Sequence, residues 1–203
     1  MYIPKAFRQD DIGTLHTFMQ VYSFATLVTV QNGVPFATHL PCILDTGRGP
    51  HGTLLAHMAR ANPQWHDFNS AQEVLAIFQG PHAYISPSWY EVELSVPTWN
   101  YAAVHAYGLP RLIEDQEELS QLLKTLIQTH ESQFENPWPF QLPDDYLQKM
   151  IRGIAGFEIE ITRLEGKFKL SQNRSATERE NVIASLQEST DALAVAEMMK
   201  SLE

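Results

Sequence analysis

Residues 55–65 read LAHMARANPQW. The run begins as a buried strand would, with Leu54 and Leu55 leading in. His57, Arg60 and Asn62 then arrive in quick succession, and Pro63, which has no N–H for a sheet ladder, ends the pattern. A cation and two hydrogen-bonding side chains therefore stand where an apolar strand runs out.

Reading outward from this stretch gives the fold class. Upstream, 24–30 (FATLVTV) is rich in β-formers, Asn32-Gly33 is a tight hairpin signal, and 36–44 (FATHLPCIL) returns as a second strand. A turn cluster at 45–52 leads into a third strand, 53–59, so a β-meander is expected. It follows one helix over 10–23, with Asp10 as its N-cap and Ile12, Leu15, Phe18 and Met19 on one face. Downstream, 62–68 is a short helical or irregular connection. Two strands, 73–81 and 82–90, are expected to part at Gly80-Pro81, and a long strand over 96–113 to turn or bulge near Gly108–Pro110.

The period then changes. Residues 114–134 place Leu119, Leu122, Leu123, Leu126 and Ile127 on one helical face, after an acidic first turn that suits the helix dipole. A Pro-rich linker (135–143) leads to a short helix over 144–154, and 156–170 alternates as a half-exposed strand or hairpin. Ser175 and Glu178 form a capping-box pattern opening a helix over 175–187, and an amphipathic helix is expected over 190–202. That last helix either packs on a partner subunit or caps its own core. Six or seven β-segments with helices at the margins make the chain mainly β, a barrel-like sheet with peripheral helices.

Composition narrows the function classes. The 203 residues are 44% hydrophobic, with ten Phe, seven Tyr and four Trp, enough for a real core. Lys plus Arg is 14 against 24 Asp plus Glu, a formal charge of −10, which weighs against direct binding to DNA. The single Cys42 allows no internal disulfide. Neither a signal peptide nor a membrane-length apolar run is present, so a cytoplasmic protein is expected.

Motifs of the common catalytic classes are absent. The eight His share no ligand spacing, and no HExxH or CxxC occurs, so no metal site is expected. No GxSxG, GxGxxG or Walker loop occurs either. What remains is a set of polar groups at strand ends. Thr38 and His39 lie in an apolar strand, Arg60 and Asn62 end the next, and Asn100 sits between Trp99 and Tyr101. Lys169, Ser171, Gln172 and Asn173 end another strand. Each taken alone is an ordinary strand exit. Together they supply the donors that hold a phosphate monoester and the rings that wall an aromatic group.

The segments ATLVT (25–29), ATHLP (37–41), HMARANPQW (57–65), SPSWY (86–90), VPTWNY (96–101) and KLSQN (169–173) strongly resemble the PaiB-type family of FMN-binding negative transcriptional regulators. The resemblance covers about 1–187 and implies one FMN-binding split β-barrel domain there, related to pyridoxamine-5′-phosphate oxidase, with 188–203 as a helical tail. It also implies a homodimer with FMN at the subunit interface. Under it, Arg60 grips the FMN phosphate with Asn62 beside it, and Thr38, His39 and Leu40 run along the isoalloxazine. His57, Trp99, Asn100, Lys169, Ser171, Gln172 and Asn173 join the cofactor site, the later ones closing the pocket or reaching in from the other subunit. Two departures stand out: the link 91–95 (EVELS) carries no cation where the family has Ser-Lys, and Phe168 stands where the family has Trp. Three functions remain open: a regulator, an FMN-dependent oxidoreductase with a nicotinamide donor, or a haem-handling protein. His39, His57 and His105 are available as proton donors in the second, but no catalytic residue is singled out.

Overall fold

The computed structural model describes residues 1–68, 72–188 and 192–201. Eight strands and five α-helices are described. The strands are β1 (Arg8–Gln9), β2 (Phe24–Gln31), β3 (Val34–Pro41), β4 (Ile43–Asp45), β5 (Thr53–Ala59), β6 (Val74–Ile85), β7 (Thr98–Ile113) and β8 (Ile154–Lys169). The helices are α1 (Ile12–Val21), α2 (Gln116–Glu131), α3 (Asp144–Arg152), α4 (Ala176–Gln187) and α5 (Leu193–Lys200). The strands follow the order β3-β2-β6-β7-β8-β5-β4, with β1 beside β8.

Local chemistry explains the agreements and the differences. Asn32 and Gly33 take φ of 51° and 81°, the paired left-handed residues of a tight hairpin turn, and set Thr26 opposite His39 and Leu27 opposite Thr38. The strand expected over 36–44 divides. β3 ends at Pro41, the Cys42 N–H donates to the Ser23 carbonyl, and β4 pairs with β5 instead. The break expected at Gly80-Pro81 does not occur. β6 runs through it, and its buried–exposed alternation slips by one residue at Pro81-His82, which accommodates the proline within the strand. β7 is likewise continuous through Gly108, where a Cβ would lie 2.2 Å from the Glu160 carbonyl oxygen, so glycine serves close strand approach rather than a turn. α1 is capped by Asp11, not Asp10: its carboxylate accepts from the Thr14 N–H at 2.8 Å.

Two compact units emerge, and β6, β7 and β8 each contribute residues to both. One comprises Met19–Phe78 and Ala106–Leu164. There Leu27, Leu54, Ala56, Phe78, Phe157 and Ile159 are sealed from solvent, and Phe68 meets Phe157 edge to face at 4.8 Å. Ile113, Leu119, Leu122, Leu126 and Ile151 form a second cluster beneath α2 and α3. The other unit comprises Met1–Phe18, Gln79–His105 and Glu165–Glu203. In it the Ser175–Glu178 capping box opens α4 as expected. Val182, Leu186, Val195 and Met199 are buried where α4 and α5 pack together. The expected tail helix is described over Leu193–Lys200, while residues 190, 191 and 202 lie outside the described residues.

Candidate functional site

The residues singled out in the sequence fall into two groups, one in each unit. The first gathers at the end of β5. The chain leaves β5 through a turn in which the Arg60 N–H donates to the Gly153 carbonyl at 2.8 Å. Asn62 then caps a 3₁₀ turn, Pro63–Asp67: its side-chain oxygen accepts from the Gln64 N–H at 3.0 Å, and its amide donates to the Thr38 hydroxyl at 2.8 Å. The Arg60 guanidinium lies over the Trp65 ring, 5.1 Å from its centre, and the Trp65 indole N–H donates to the Arg60 carbonyl. No carboxylate pairs with Arg60 among the described residues. His39 is exposed on β3, and Leu40 beside it is buried.

His57 belongs to the same strand but lies apart from this polar group. Burial pushes its imidazole below the ordinary value, and its Nδ1 is sealed without a partner. It lines an apolar cavity beside α2 and α3.

One residue outside that list organises the group. Gln64 is fully buried, and its side-chain amide donates to the Leu27 carbonyl at 3.1 Å, the Thr29 hydroxyl at 3.2 Å and the Phe36 carbonyl at 3.3 Å. A single amide thus ties the 3₁₀ turn to both strands of the β2–β3 hairpin. The sequence carries no local signal for it, because its acceptors lie on β2 and β3, far upstream in the chain.

The second group lies at the end of β8. Lys169 donates to the Thr98 hydroxyl at 2.6 Å and to the Trp99 carbonyl. Burial, with Lys167 and Arg174 nearby, holds its ammonium below the usual lysine value. Asn100 is fully buried and exchanges hydrogen bonds with Ser171, donating at 3.0 Å and accepting at 3.2 Å, and its amide also reaches the Met199 sulfur. Ser171 takes φ of 63°, a left-handed conformation that turns the chain out of β8. Gln172 then folds back, accepting from the Leu170 N–H and donating to the Phe168 carbonyl. Trp99 is half-exposed beside Tyr84 at 5.8 Å, and Asn173 is exposed. Phe168 is buried against Phe18 at 5.2 Å.

Chemically, the first group suits a phosphate monoester. It offers an unpaired guanidinium, and a Thr38 hydroxyl that accepts from Asn62 and keeps its own proton to donate. Among the described residues no cluster of three His, Cys, Asp or Glu side chains could hold a metal ion, and no helix is long and apolar enough to cross a membrane.

Comparison with known proteins gives the same direction. A family model described as "Putative FMN-binding domain" matches residues 1–163. The protease synthase and sporulation protein PAI 2 of Bacillus subtilis is 42% identical over 204 residues, spanning 98% of this chain and 97% of that protein. Among solved structures, a flavocytochrome of Azotobacter vinelandii superposes with a TM-score of 0.60 at 16% identity, over 82% of this chain and 72% of that one. An FAD and haem binding protein of Mycobacterium smegmatis gives 0.56 at 14%, over 85% and 78%. At these identities the likeness is one of fold: an antiparallel split β-barrel with helices at its margins. The family match over most of the chain and the near-full-length PAI 2 relative agree, and this chain belongs to the PaiB-type family of FMN-binding-domain proteins.

Proposed function

We propose that the chain binds FMN with its phosphate at the end of β5 and serves as a flavin-dependent regulator. The observation that carries this reading is the unpaired Arg60 guanidinium beside Asn62 and Thr38 in a protein of formal charge −10. A guanidinium without a carboxylate partner is free to make a charge-assisted contact with an anionic group. Thr38, His39 and Leu40 would lie along the isoalloxazine. The second group, Trp99, Asn100, Lys169, Ser171, Gln172 and Asn173, would complete the site across a homodimer interface. Bound flavin would supply two-electron redox chemistry, and the chain's own residues would hold and orient it.

The PAI 2 relative carries a name drawn from protease synthesis and sporulation. We carry a regulatory role to this chain on that basis. The net charge favours regulation through a protein partner or the redox state of the flavin over direct contact with DNA.

The test is FMN titration of the purified protein, followed by flavin absorbance. Arg60→Ala should weaken binding by about 2–4 kcal/mol, the loss of a bidentate charge-assisted contact. Unchanged affinity in that variant would remove Arg60 from the phosphate site.

A further inference from the structure

A cavity of roughly 430 Å³ opens beside α2 and α3, walled by Leu126, Ile127, Trp138, Phe140 and Tyr146, with His57 at its edge on β5. Its size lies within the range of small-molecule pockets. Three features single it out. First, the loop that walls it is held in place: the Glu131 carboxylate accepts from the Trp138 N–H at 2.6 Å, and Phe140 keeps φ at 39°, a left-handed backbone that costs an aromatic residue energy. The Phe140 ring lies edge-on to Trp138 at 5.5 Å. Second, large apolar surface is left in water at the mouth, with Trp138 46%, Tyr146 50% and Met150 49% exposed. Third, Nδ1 of the His57 imidazole is sealed from solvent with no hydrogen-bond partner among the described residues.

The imidazole defines the ligand. A sealed, unpartnered N–H is rarer in proteins than a sealed bare acceptor, so the proton of the neutral ring belongs on Nε2. Nε2 is then the atom left to meet a ligand, and it meets it as a donor. The aromatic walls favour a flat ring system, which stacks or packs edge-on against them.

We propose that this cavity is a second small-molecule site, separate from the FMN site, for a planar fused-ring compound carrying a carbonyl acceptor that His57 binds through Nε2. Trp138 and Phe140 hold the rings, and the carbonyl lies toward β5.

The test uses the FMN-loaded protein and the naphthyl ketone Prodan, whose emission moves to the blue in apolar surroundings and back toward the red when its carbonyl accepts a hydrogen bond. Saturable one-to-one binding that excess FMN does not displace is expected. His57→Leu keeps the cavity apolar and should shift the bound emission further to the blue while weakening binding about tenfold, the worth of one neutral hydrogen bond. Trp138→Ala should weaken binding without that shift. Folding of both variants is checked by circular dichroism and by the urea midpoint, neither of which depends on FMN. Absence of saturable binding, displacement by FMN, or bound emission unmoved by His57→Leu would overturn the proposal.

Discussion

The side-chain amide of Asn62 donates to the hydroxyl of Thr38 at 2.8 Å, joining the end of β5 to the strand β3. The same Asn62 caps the following 3₁₀ turn through its oxygen. Asn62→Ala removes both contacts and should cost about 1–2 kcal/mol, read as a lower urea midpoint. Asn62→Asp keeps the acceptor for the Gln64 N–H and reverses the contact with Thr38, whose hydroxyl would now donate to the carboxylate, so its stability should stay close to that of the parent. It also sets a carboxylate beside the proposed phosphate position, and its FMN affinity should fall sharply. Unchanged FMN affinity in the Asn62→Asp variant would move the phosphate away from this turn.

Glu158 is clamped by two guanidinium groups: Arg111 donates to one carboxylate oxygen at 2.9 Å and Arg48 to the other at 2.7 Å. Burial alone would raise this carboxyl, but the two arginines outweigh it and hold it below the ordinary glutamate value. The folded state therefore prefers the ionised form. Its contribution is complete above the unfolded value near 4.5 and is lost as the pH falls through the lowered folded value. Glu158→Gln should lower stability by about 1–3 kcal/mol at neutral pH and flatten the acid limb of the profile. Urea midpoints of parent and variant should converge in acid; parallel curves would show that the clamp is not the titrating element.

Gly108 and Gly33 make a matched pair of alanine substitutions. At Gly108 the new Cβ would stand 2.2 Å from the Glu160 carbonyl oxygen and 2.7 Å from an Ile159 methyl, so β7 and β8 must separate. A loss of about 3 kcal/mol or more is expected, seen as poor soluble yield or a greatly reduced urea midpoint. At Gly33 nothing lies within reach of a Cβ, and only the φ of 81° opposes it. That substitution should cost about 1 kcal/mol.

What could be read from the sequence was what neighbours in the chain decide. β5 was bounded by its own aliphatic run and by Pro63, the first hairpin by Asn32-Gly33, and α4 by Ser175 and Glu178. Features decided by distant partners were not legible. Pro41 looked tolerable in one long strand, and only the rival pairing of β4 with β5 shows why the strand divides there. Gly80-Pro81 and Gly108–Pro110 carried turn signals, yet both lie inside continuous strands. Gln64 read as a loop residue because the acceptors that bury it, at Leu27, Thr29 and Phe36, lie some thirty positions upstream. The polar residues at the end of β5 were legible as a set, while the way Asn62 serves cap and strand at once needed the folded chain.

The anchorage of Gln64 bears on how a ligand would arrive. Its amide keeps the turn after Arg60 fixed to the hairpin strands, and opening that turn would strand two backbone carbonyls and a buried amide. An anion reaching Arg60 therefore meets a surface already in its final form, with no loop entropy to surrender. Capture there should not wait on the ordering of a loop, and the lifetime of the complex is set by the contacts themselves.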